Sequence, residues 1–555
     1  MCINSRITEN KGRFKTPILL LASALGVSSI VSATNQKEPI KNDKRAPNII
    51  VILADDLGYG DLSCYGATKI STPAIDKLAS DGIRFTNAYA SSSLSSPSRY
   101  NLLTGRYAWR TRLEFGVLKN YERPLIEKGE TTIASFLKRN GYFTACVGKW
   151  HLGLDWALNS SAPDNPQENV FNSGKNNLQE FIDFSKPVTG GPIEVGFDYF
   201  YGMSGSNNMQ PYVFIENDRV LQPPSIEQTI DYDFYSNAKR APDWDIKTVN
   251  MVLTNKAVTV IDNHFENKKD IPLFLYFPTS AIHRPCLPTF TKGMSRAGLR
   301  GDIVVELDWT VGEIIKALKK NGVYENTLIV FTSDNGPRPG DPAVWIERYK
   351  KGEYEEYQEY FGDYNPEYKN ENGNMIWKGG WLTYSHSPSG ELLGFKQDPS
   401  EGGIRVPFIF HWPNRVKNSS TNSNLICVGD LLATFSELLG DNLKENEGVD
   451  SYSFLPYLTN SATPEVRKSL VVASGSSGAL IAIKDGWKYI EPAQPGRWPE
   501  TYYEGGPGDK QPRLFNLKKD ISEQNNLIST NPKKGQELID LIKEVKSGVK
   551  VEINK

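Results

Sequence analysis

Two stretches of this chain combine residue types that can do chemistry on an anion. In Ser95-Ser-Pro-Ser-Arg-Tyr-Asn-Leu-Leu-Thr-Gly-Arg106, Ser96 is a good helix N-cap and Pro97 suits the first helical position. The sequence therefore predicts a helix beginning here, with Ser95 just outside its N-terminus. Such an end carries unpaired N–H groups and about half a positive charge, which suits a nucleophile whose substrate is anionic. Arg99, about one turn in, would add a charged fork beside it. The second stretch is Asp55-Asp56, at the end of the apolar run Asn48–Ala54. Paired carboxylates that are buried together need a cation or a proton. In an isolated Asp-Asp, two solvated turn aspartates would be the common alternative.

The elements that must position these residues are legible as an alternation of strand and helix. Asn48–Ala54 reads as a strand buried on both faces of a parallel sheet, whose carboxyl end is where open α/β sheets place ligands. A helix entered at Thr72-Pro73 and stopped by Gly82 precedes a strand from Ile83 to Ala90, which feeds the serine-rich loop before Ser95. A helix from Thr132 to Asn140 closes at Gly141, and a strand from Tyr142 to Val147 delivers Gly148-Lys149-Trp150-His151-Leu152-Gly153. Helical spacing between Asp245 and His264, with His264 read as a C-terminal helix cation, is followed by a strand from Leu273 to Phe277 and then Ser280-Ala-Ile-His283-Arg-Pro285. A helix from Asp302 to Asn321, a strand from Thr327 to Thr332 and Ser333-Asp334-Asn335-Gly336 repeat the pattern. A lone lysine is usually a solvated charge and a lone histidine usually structural, but both after a buried strand point to catalysis. A strand from Pro407 to His411 and a helix from Gly429 to Leu439 complete a mostly parallel sheet covered on both faces. Past about Thr463, short strands at Leu470 to Ala473, Ala479 to Ile483 and Trp487 to Ile490, with a helix from Gln536 to Lys546, predict a small antiparallel sheet plus helix. The expected domains are 34–463 and 464–555.

With 555 residues and 39% hydrophobic content, the chain is too long for only one compact core. Its 63 basic and 65 acidic residues leave a net charge of −2, so nothing suggests a nucleic-acid or membrane surface and any anion specificity must be local. Arg6, Lys11, Arg13 and Lys15 precede an apolar run from Pro17 to Val31, and Val31-Ser32-Ala33 fits a cleavage site. Residues 1–33 therefore read as a secretory signal, not an anchor, because Ser23, Gly26, Ser28 and Ser29 break the run. A periplasmic or secreted protein with no membrane span after cleavage is expected. Cys64, Cys146, Cys286 and Cys427 show no metal spacing and no dense disulfide framework, and leave any pairing open. From Pro337 to Leu392 an insertion carries Trp345, Tyr357, Tyr360, Trp377 and Trp381, and a turn from Gly496 to Gly508 adds Trp498 and Tyr502. Stacking on sugar faces and packing among themselves are equal readings of the insertion's rings.

Taken together, these motifs resemble those of the type I sulfatases. Ser95, Pro97, Ser98, Arg99, Leu102, Leu103, Thr104, Gly105 and Arg106 match the Cys/Ser-x-Pro-x-Arg signature, and Asp55 to Asp61 is similar to the family's metal-binding start. Gly148 to His151 resembles its Gly-Lys-Trp-His motif, His283 its His-x-Pro, and Lys396 to Pro407 its Lys-x4-Glu-Gly-Gly-x-Arg-Val-Pro segment. Pro512 to Asp520 and Asn525 to Leu527 resemble its usual ending. The resemblance covers nearly all of the chain after residue 33. It implies an alkaline-phosphatase-like α/β fold and oxidation of Ser95 to formylglycine (3-oxoalanine) by a radical-SAM maturing enzyme that needs no oxygen. It further implies one divalent ion, usually calcium, held by Asp55, Asp56, Asp334, Asn335 and the modified residue 95. Oxygen-only ligands agree independently with a hard cation rather than zinc. Arg405 reads equally as a structural ion-pair partner. Ser206 falls where related sulfatases have a serine near the sulfate, but the match is loose and an ordinary loop serine is an equal reading.

A sulfate ester is an anion, so attack by another anion is repelled unless cations neutralise the sulfuryl oxygens. Calcium, Arg99, Lys149 and Lys396 would supply that field. By resemblance, one hydroxyl of the formylglycine hydrate attacks sulfur, His283 or Lys396 protonates the departing sugar oxygen, and His151 removes the second hydroxyl proton so that the aldehyde reforms. The expected substrate is a sulfated carbohydrate. Similarity to the arylsulfatase A and N-acetylgalactosamine-6-sulfatase branch suggests exo-acting removal from 6-sulfated galactose or N-acetylgalactosamine. Two other readings stay open. One is a phosphatase or phosphodiesterase of the same superfamily using unmodified Ser95, although five histidines do not supply its His-rich second metal set. The other is a catalytically inactive binder of sulfated glycans.

Overall fold

The computed structural model describes residues 46–163, 178–227, 238–284, 287–338, 386–416, 419–459, 465–494 and 509–548. The segment expected to be a signal, Cys286, the insertion aromatics from Trp345 to Tyr384 and the turn from Gly496 to Gly508 lie outside them. Among the described residues, one sheet contains β1 (Asn48–Ala54), β2 (Ile83–Phe85), β4 (Phe143–Lys149), β5 (Tyr199–Met203) and β6 (Ile215–Glu216). It continues with β7 (Arg219–Val220), β8 (Leu273–Pro278), β9 (Thr327–Ser333), β10 (Phe408–His411) and β11 (Ser420–Asn422). Their order is β11-β2-β10-β9-β1-β8-β4-β5-β6-β7, while β3 (Ala88–Tyr89) pairs separately with β12 (Ile426–Cys427).

The run Asn-Ile-Ile-Val-Ile-Leu-Ala of β1 is buried throughout, because parallel strands flank it on both sides. Val51 stands opposite Tyr276 of β8 and Val330 of β9, and β4 continues the parallel set beyond β8. Four adjacent strands, β9, β1, β8 and β4, therefore end on the same edge of the sheet, where an open α/β sheet leaves room for a ligand. Helices α1 (Pro73–Asp81), α4 (Val249–Asn267) and α5 (Gly298–Lys320) pack on one another and on the sheet, as do α2 (Ser95–Thr104), α3 (Ile133–Arg139) and α7 (Leu431–Leu439) among themselves. The result is the expected alkaline-phosphatase-like architecture of a sheet flanked by helices.

The structure also corrects several details. β10 enters antiparallel between β9 and β2, a direction that an apolar run does not encode. The expected strand from Ile83 to Ala90 breaks at Thr86-Asn87 into β2 and β3. Helix α4 runs three residues past His264, whose Nε2–H donates to the Ile271 carbonyl at 2.8 Å. His264 does lie in the last turn of the helix, but burial, with Lys268 nearby, lowers its pKa despite the Ile271 hydrogen bond and so disfavours the expected charge. Helix α2 starts at Ser95, two residues earlier than expected, with Leu94 at the N-cap position. The Ser96 hydroxyl does not cap α2 but accepts the Leu118 N–H at 3.1 Å. Gly105, at φ +64°, stops the helix.

The smaller sheet runs β13 (Ser469–Ala473), β14 (Leu480–Lys484), β15 (Trp487–Ile490) and β16 (Arg513–Asn516), all antiparallel. Side-chain alternation divides its faces. Val471, Ala482, Tyr489 and Leu514 pack with Leu538, Leu541 and Ile542 of α8 (Pro532–Lys546), whereas Val472, Ile481, Ile483, Ile490 and Phe515 join the core of the large sheet. No described helix is long and apolar enough to cross a membrane.

Candidate active site

The carboxyl ends of the four parallel strands gather nearly all of the expected residues. Asp55 and Asp56 follow β1, Lys149 ends β4 with His151 two residues on, His283 follows β8, and Asp334 and Asn335 follow β9. Helix α2 brings Ser95 and Arg99 to the same place. All ten residues of α2 are buried although Ser95, Ser96, Ser98, Arg99, Asn101 and Thr104 are polar. Buried polar groups need partners, so a core helix of this composition points inward to a polar cluster.

Charges of both signs interlock there. Lys149 Nζ lies 2.7 Å from Asp55 Oδ2, and Lys396 Nζ lies 2.6 and 2.8 Å from the two oxygens of Asp56. Arg99 directs its fork at Asp334 Oδ2 (2.9 Å from Nε, 2.7 Å from Nη2) and donates through Nη1 to the Lys149 carbonyl. Asn335 joins the parts, donating to Asp56 Oδ1 at 2.8 Å while its own Oδ1 accepts the Ser95 hydroxyl at 3.3 Å. Asp334 Oδ1 in turn accepts the Asp56 N–H at 3.2 Å.

The three carboxylates differ in their titration. Burial would raise Asp56, but Lys396, by charge and hydrogen bond, and Lys149 more than offset it and hold the group far below the ordinary carboxylate range. Asp334 is likewise lowered, since Arg99 and Lys149 outweigh its burial. Asp55 is pushed up to about 7, first by burial and then by Asp334 and Asp56, despite the pull of Lys149. Its Oδ1 is buried and accepts no hydrogen bond, with Arg99 Nη2 3.5 Å away. An orphaned, reluctantly ionised carboxylate oxygen among other carboxylates is what a cation site looks like before the ion is counted. Asp55, Asp56 and His283 each bring a ligand atom within 4.8 Å of the others. The residues present thus fit a divalent cation, and Asp334 and Asn335 supply further oxygens beside it.

Both site histidines are neutral. Burial, then Lys149, Arg99 and Lys396, keep His151 well below 6.5, and burial with Lys396 does the same for His283. His151 Nε2 lies 3.1 Å from the Leu118 carbonyl, so its proton sits on Nε2, and the buried, unpartnered Nδ1 keeps a lone pair. His283 Nδ1 donates to the Arg284 carbonyl at 2.9 Å, which leaves Nε2 facing Asp56 Oδ2 at 3.7 Å. Asp56, His151 and Gln397 hold φ of +64°, +56° and +84°. Left-handed backbone at non-glycine positions costs about 1–3 kcal/mol and collects at functional sites.

Two expected residues stand apart. Arg405 pairs with Glu401 (2.5 Å) and Tyr89 (2.7 Å) and is a structural ion-pair partner. Ser206 is buried in the loop after β5, and no hydrogen bond ties it to the cluster among the described residues. A supporting trio escaped the sequence reading. Asp61 is gripped by both Arg300 nitrogens (2.5 and 2.7 Å) and by His386 Nε2 (3.0 Å), and it accepts the Gly58 N–H at 2.7 Å, which fixes the turn after Asp56. Asp61 stood within the acidic motif, but nothing local marks Arg300 or His386.

Residues 47–441 match the sulfatase family model. The chain is 33% identical over 559 residues to an N-acetylgalactosamine-6-O-sulfatase of Bacteroides thetaiotaomicron, covering 94% of this chain and 97% of that protein. It is 28% identical to human arylsulfatase A, over 90% of this chain and 87% of that one. Among solved structures, a B. thetaiotaomicron sulfatase described in connection with the metabolism of multiple glycosaminoglycans superposes with a TM-score of 0.72 at 32% identity, covering 91% of this chain and 100% of that one.

Proposed function

Because the chain belongs to the sulfatase family of sulfuric ester hydrolases, we propose that it removes sulfate from a sulfated glycan, with Ser95 oxidised to formylglycine and one calcium ion held by Asp55, Asp56, Asp334, Asn335 and residue 95. The observation that carries this is the charge count around Ser95. Three buried carboxylates already face three buried cations, Arg99, Lys149 and Lys396, so a divalent ion leaves the cluster with a surplus of about two positive charges. That surplus suits an anionic ester and the charge that builds on its leaving oxygen. When bound, calcium would supply a Lewis-acid field for the sulfuryl oxygens. The formylglycine hydrate would supply both a nucleophilic hydroxyl and a second one through which sulfate is released.

The remaining work falls to side chains whose positions are known. Residue 95 is the first residue of α2, at the end where the helix's partial positive charge collects. Lys149 and Arg99 keep Asp334 ionised and orient Asp55 and Asp334. The Nδ1 lone pair of His151 can accept a proton and Lys396 can give one to the departing oxygen, whereas His283, with its proton on Nδ1, can do so only after its bare Nε2 has taken one up. A proton acceptor is useful only while neutral, and His151 stays neutral until well below pH 6.5. The kcat/KM profile should therefore show no histidine-type decline between pH 8 and about 6.5, its acid limb lying lower. A limb centred at the ordinary histidine value would remove His151 from this role.

Of the possible sugars, a terminal 6-sulfated galactose or N-acetylgalactosamine is proposed, attacked in exo fashion, in line with the similarity to a protein named for the latter. Export to the periplasm or beyond and maturation by a radical-SAM enzyme complete the reading. Activity against sulfated and phosphorylated substrates, after expression with and without such a maturase, tests it. Maturase-independent phosphoesterase activity would favour the unmodified serine, and binding without turnover would favour a lectin-like role. Aromatic-to-alanine changes at Trp345, Tyr357, Trp377 and Trp381 should lower kcat/KM on a sulfated oligosaccharide by about 10-fold or more and barely affect a small aryl sulfate. Equal losses would make the insertion structural.

A further inference from the structure

Lys488 occupies an odd place for a lysine. It stands on β15 opposite Ile483 of β14 and Phe515 of β16, on the face that packs against the large sheet, and it is fully buried. Its Nζ lies 3.0 Å from Glu401 Oε1 and 2.9 Å from Glu523 Oε1. Glu523 Oε2 also accepts the Glu401 N–H at 2.6 Å, and Glu401 Oε2 accepts from Arg405 and from the Tyr89 hydroxyl. Burying such a set costs several kcal/mol per ion in desolvation, and well-packed apolar residues are often as stable or more so. Stability alone therefore gives no reason for a lysine between an isoleucine and a phenylalanine.

Position does. Glu401 opens the single turn α6 (Glu401–Ile404), whose glycines lie directly against the metal loop. The Gly336 N–H donates to the Gly403 carbonyl at 3.0 Å, and a Cβ on Gly336 would meet the Gly402 carbonyl oxygen at 1.8 Å. Gly336 is the residue after Asn335. The turn also reaches back to the Lys396 loop, Gly402 N–H donating to the Leu393 carbonyl at 2.7 Å, and within that loop Lys396 N–H donates to the Pro337 carbonyl at 2.7 Å and Gln397 N–H to the Ser93 carbonyl at 2.9 Å. The loops that present Asn335 and Lys396 thus rest on the turn whose carboxylate Lys488 holds, and the Ser95 loop rests on it at one remove, through Gln397.

We propose that Lys488, delivered by the smaller sheet, is a positioning residue of the active site: by clamping Glu401 against Glu523 it sets where Asn335 and Lys396 stand. The inference rests on the calcium reading above, and its test separates the two. Calcium binding is measured by calorimetry on folded, metal-stripped wild type and Lys488→Met, together with kcat and KM on an aryl sulfate. Lys488→Met should weaken calcium about 10-fold or more and lower kcat by a similar factor, with KM changed less. Lys488→Met/Glu523→Gln, which restores the balance of one carboxylate against Arg405, should regain most of both. If Lys488→Met does not fold, Glu523→Gln serves in its place: it is isosteric, keeps an acceptor for the Glu401 N–H and should still weaken calcium several-fold. Unchanged calcium affinity and unchanged kcat per folded molecule, with only the melting temperature lowered, would overturn the positioning role. Wild type that binds no divalent cation would overturn the metal reading and this inference with it.

Discussion

Ser95→Ala is expected to lower kcat/KM by about 10⁴-fold or more, the scale on which loss of a nucleophile registers, while leaving the melting temperature close to that of wild type. The change removes one hydroxyl whose hydrogen bond is to Asn335 at 3.3 Å, a long contact that contributes little to folding. The companion expectation concerns mass. In active preparations the peptide containing residue 95 should be about two mass units lighter than its serine form, because oxidation of the alcohol to the aldehyde removes two hydrogens and activates the nucleophile. Activity should scale with the fraction of lighter peptide across preparations made with and without a maturase. A fully active enzyme carrying only unmodified serine would sink the formylglycine reading.

Removing the metal, or the carboxylate least content without it, comes second in size. Asp55 has one oxygen on Lys149 and one with no hydrogen-bond partner, and it resists ionisation up to about 7. Asp55→Asn keeps the shape of the side chain and should cost about 10³-fold in kcat, with calcium binding strongly weakened. Asn is preferable to Ala here, since Ala would strand the buried Lys149 and could unfold the protein by itself. Chelation of wild type should abolish turnover reversibly. Calcium at 100 times its dissociation constant should stabilise the fold by about 2.7 kcal/mol over the metal-free form. One zinc per chain, with activity returned only by zinc, would contradict the assignment.

Much of this site could be read from the chain because parallel strands write themselves plainly. Ile49–Ala54 and Leu328–Phe331 are continuous apolar runs within their strands, and the residues that follow those strands had to lie on one sheet edge once the strands proved to be neighbours. What escaped depended on contacts between distant segments. The start of α2 moved because the Ser96 hydroxyl is engaged by Leu118, 22 residues on, and not by its own helix. The charge expected of His264 is disfavoured by its burial, with Phe143 and Phe265 packed on its ring. In Trp487-Lys-Tyr-Ile490, alternation alone cannot tell which face is wet, and the ordinary guess would turn the lysine outward. Only Glu401 and Glu523, 87 residues upstream and 35 downstream, make the inward choice possible.

The way the smaller sheet is joined to the Ser95 loop also sets an order of events in the life of the chain. Ser95 has no exposed surface, and β13 closes over the loop before it: Ala473 N–H donates to the Ser91 carbonyl at 3.1 Å, Gly475 N–H to the Ser93 hydroxyl at 3.0 Å, and Leu94 fills the space beside Gly475. Ala473 follows Ser95 by 378 residues, so this closure cannot form until the chain between them has been made. On the proposed oxidation of Ser95, a maturing enzyme that must bind the backbone around this residue is expected to act before then, since Ser91 to Ser95 are buried among the described residues. A pulse of maturase added to folded, serine-form protein should leave it unmodified, whereas a short peptide spanning Ser95 should be a substrate.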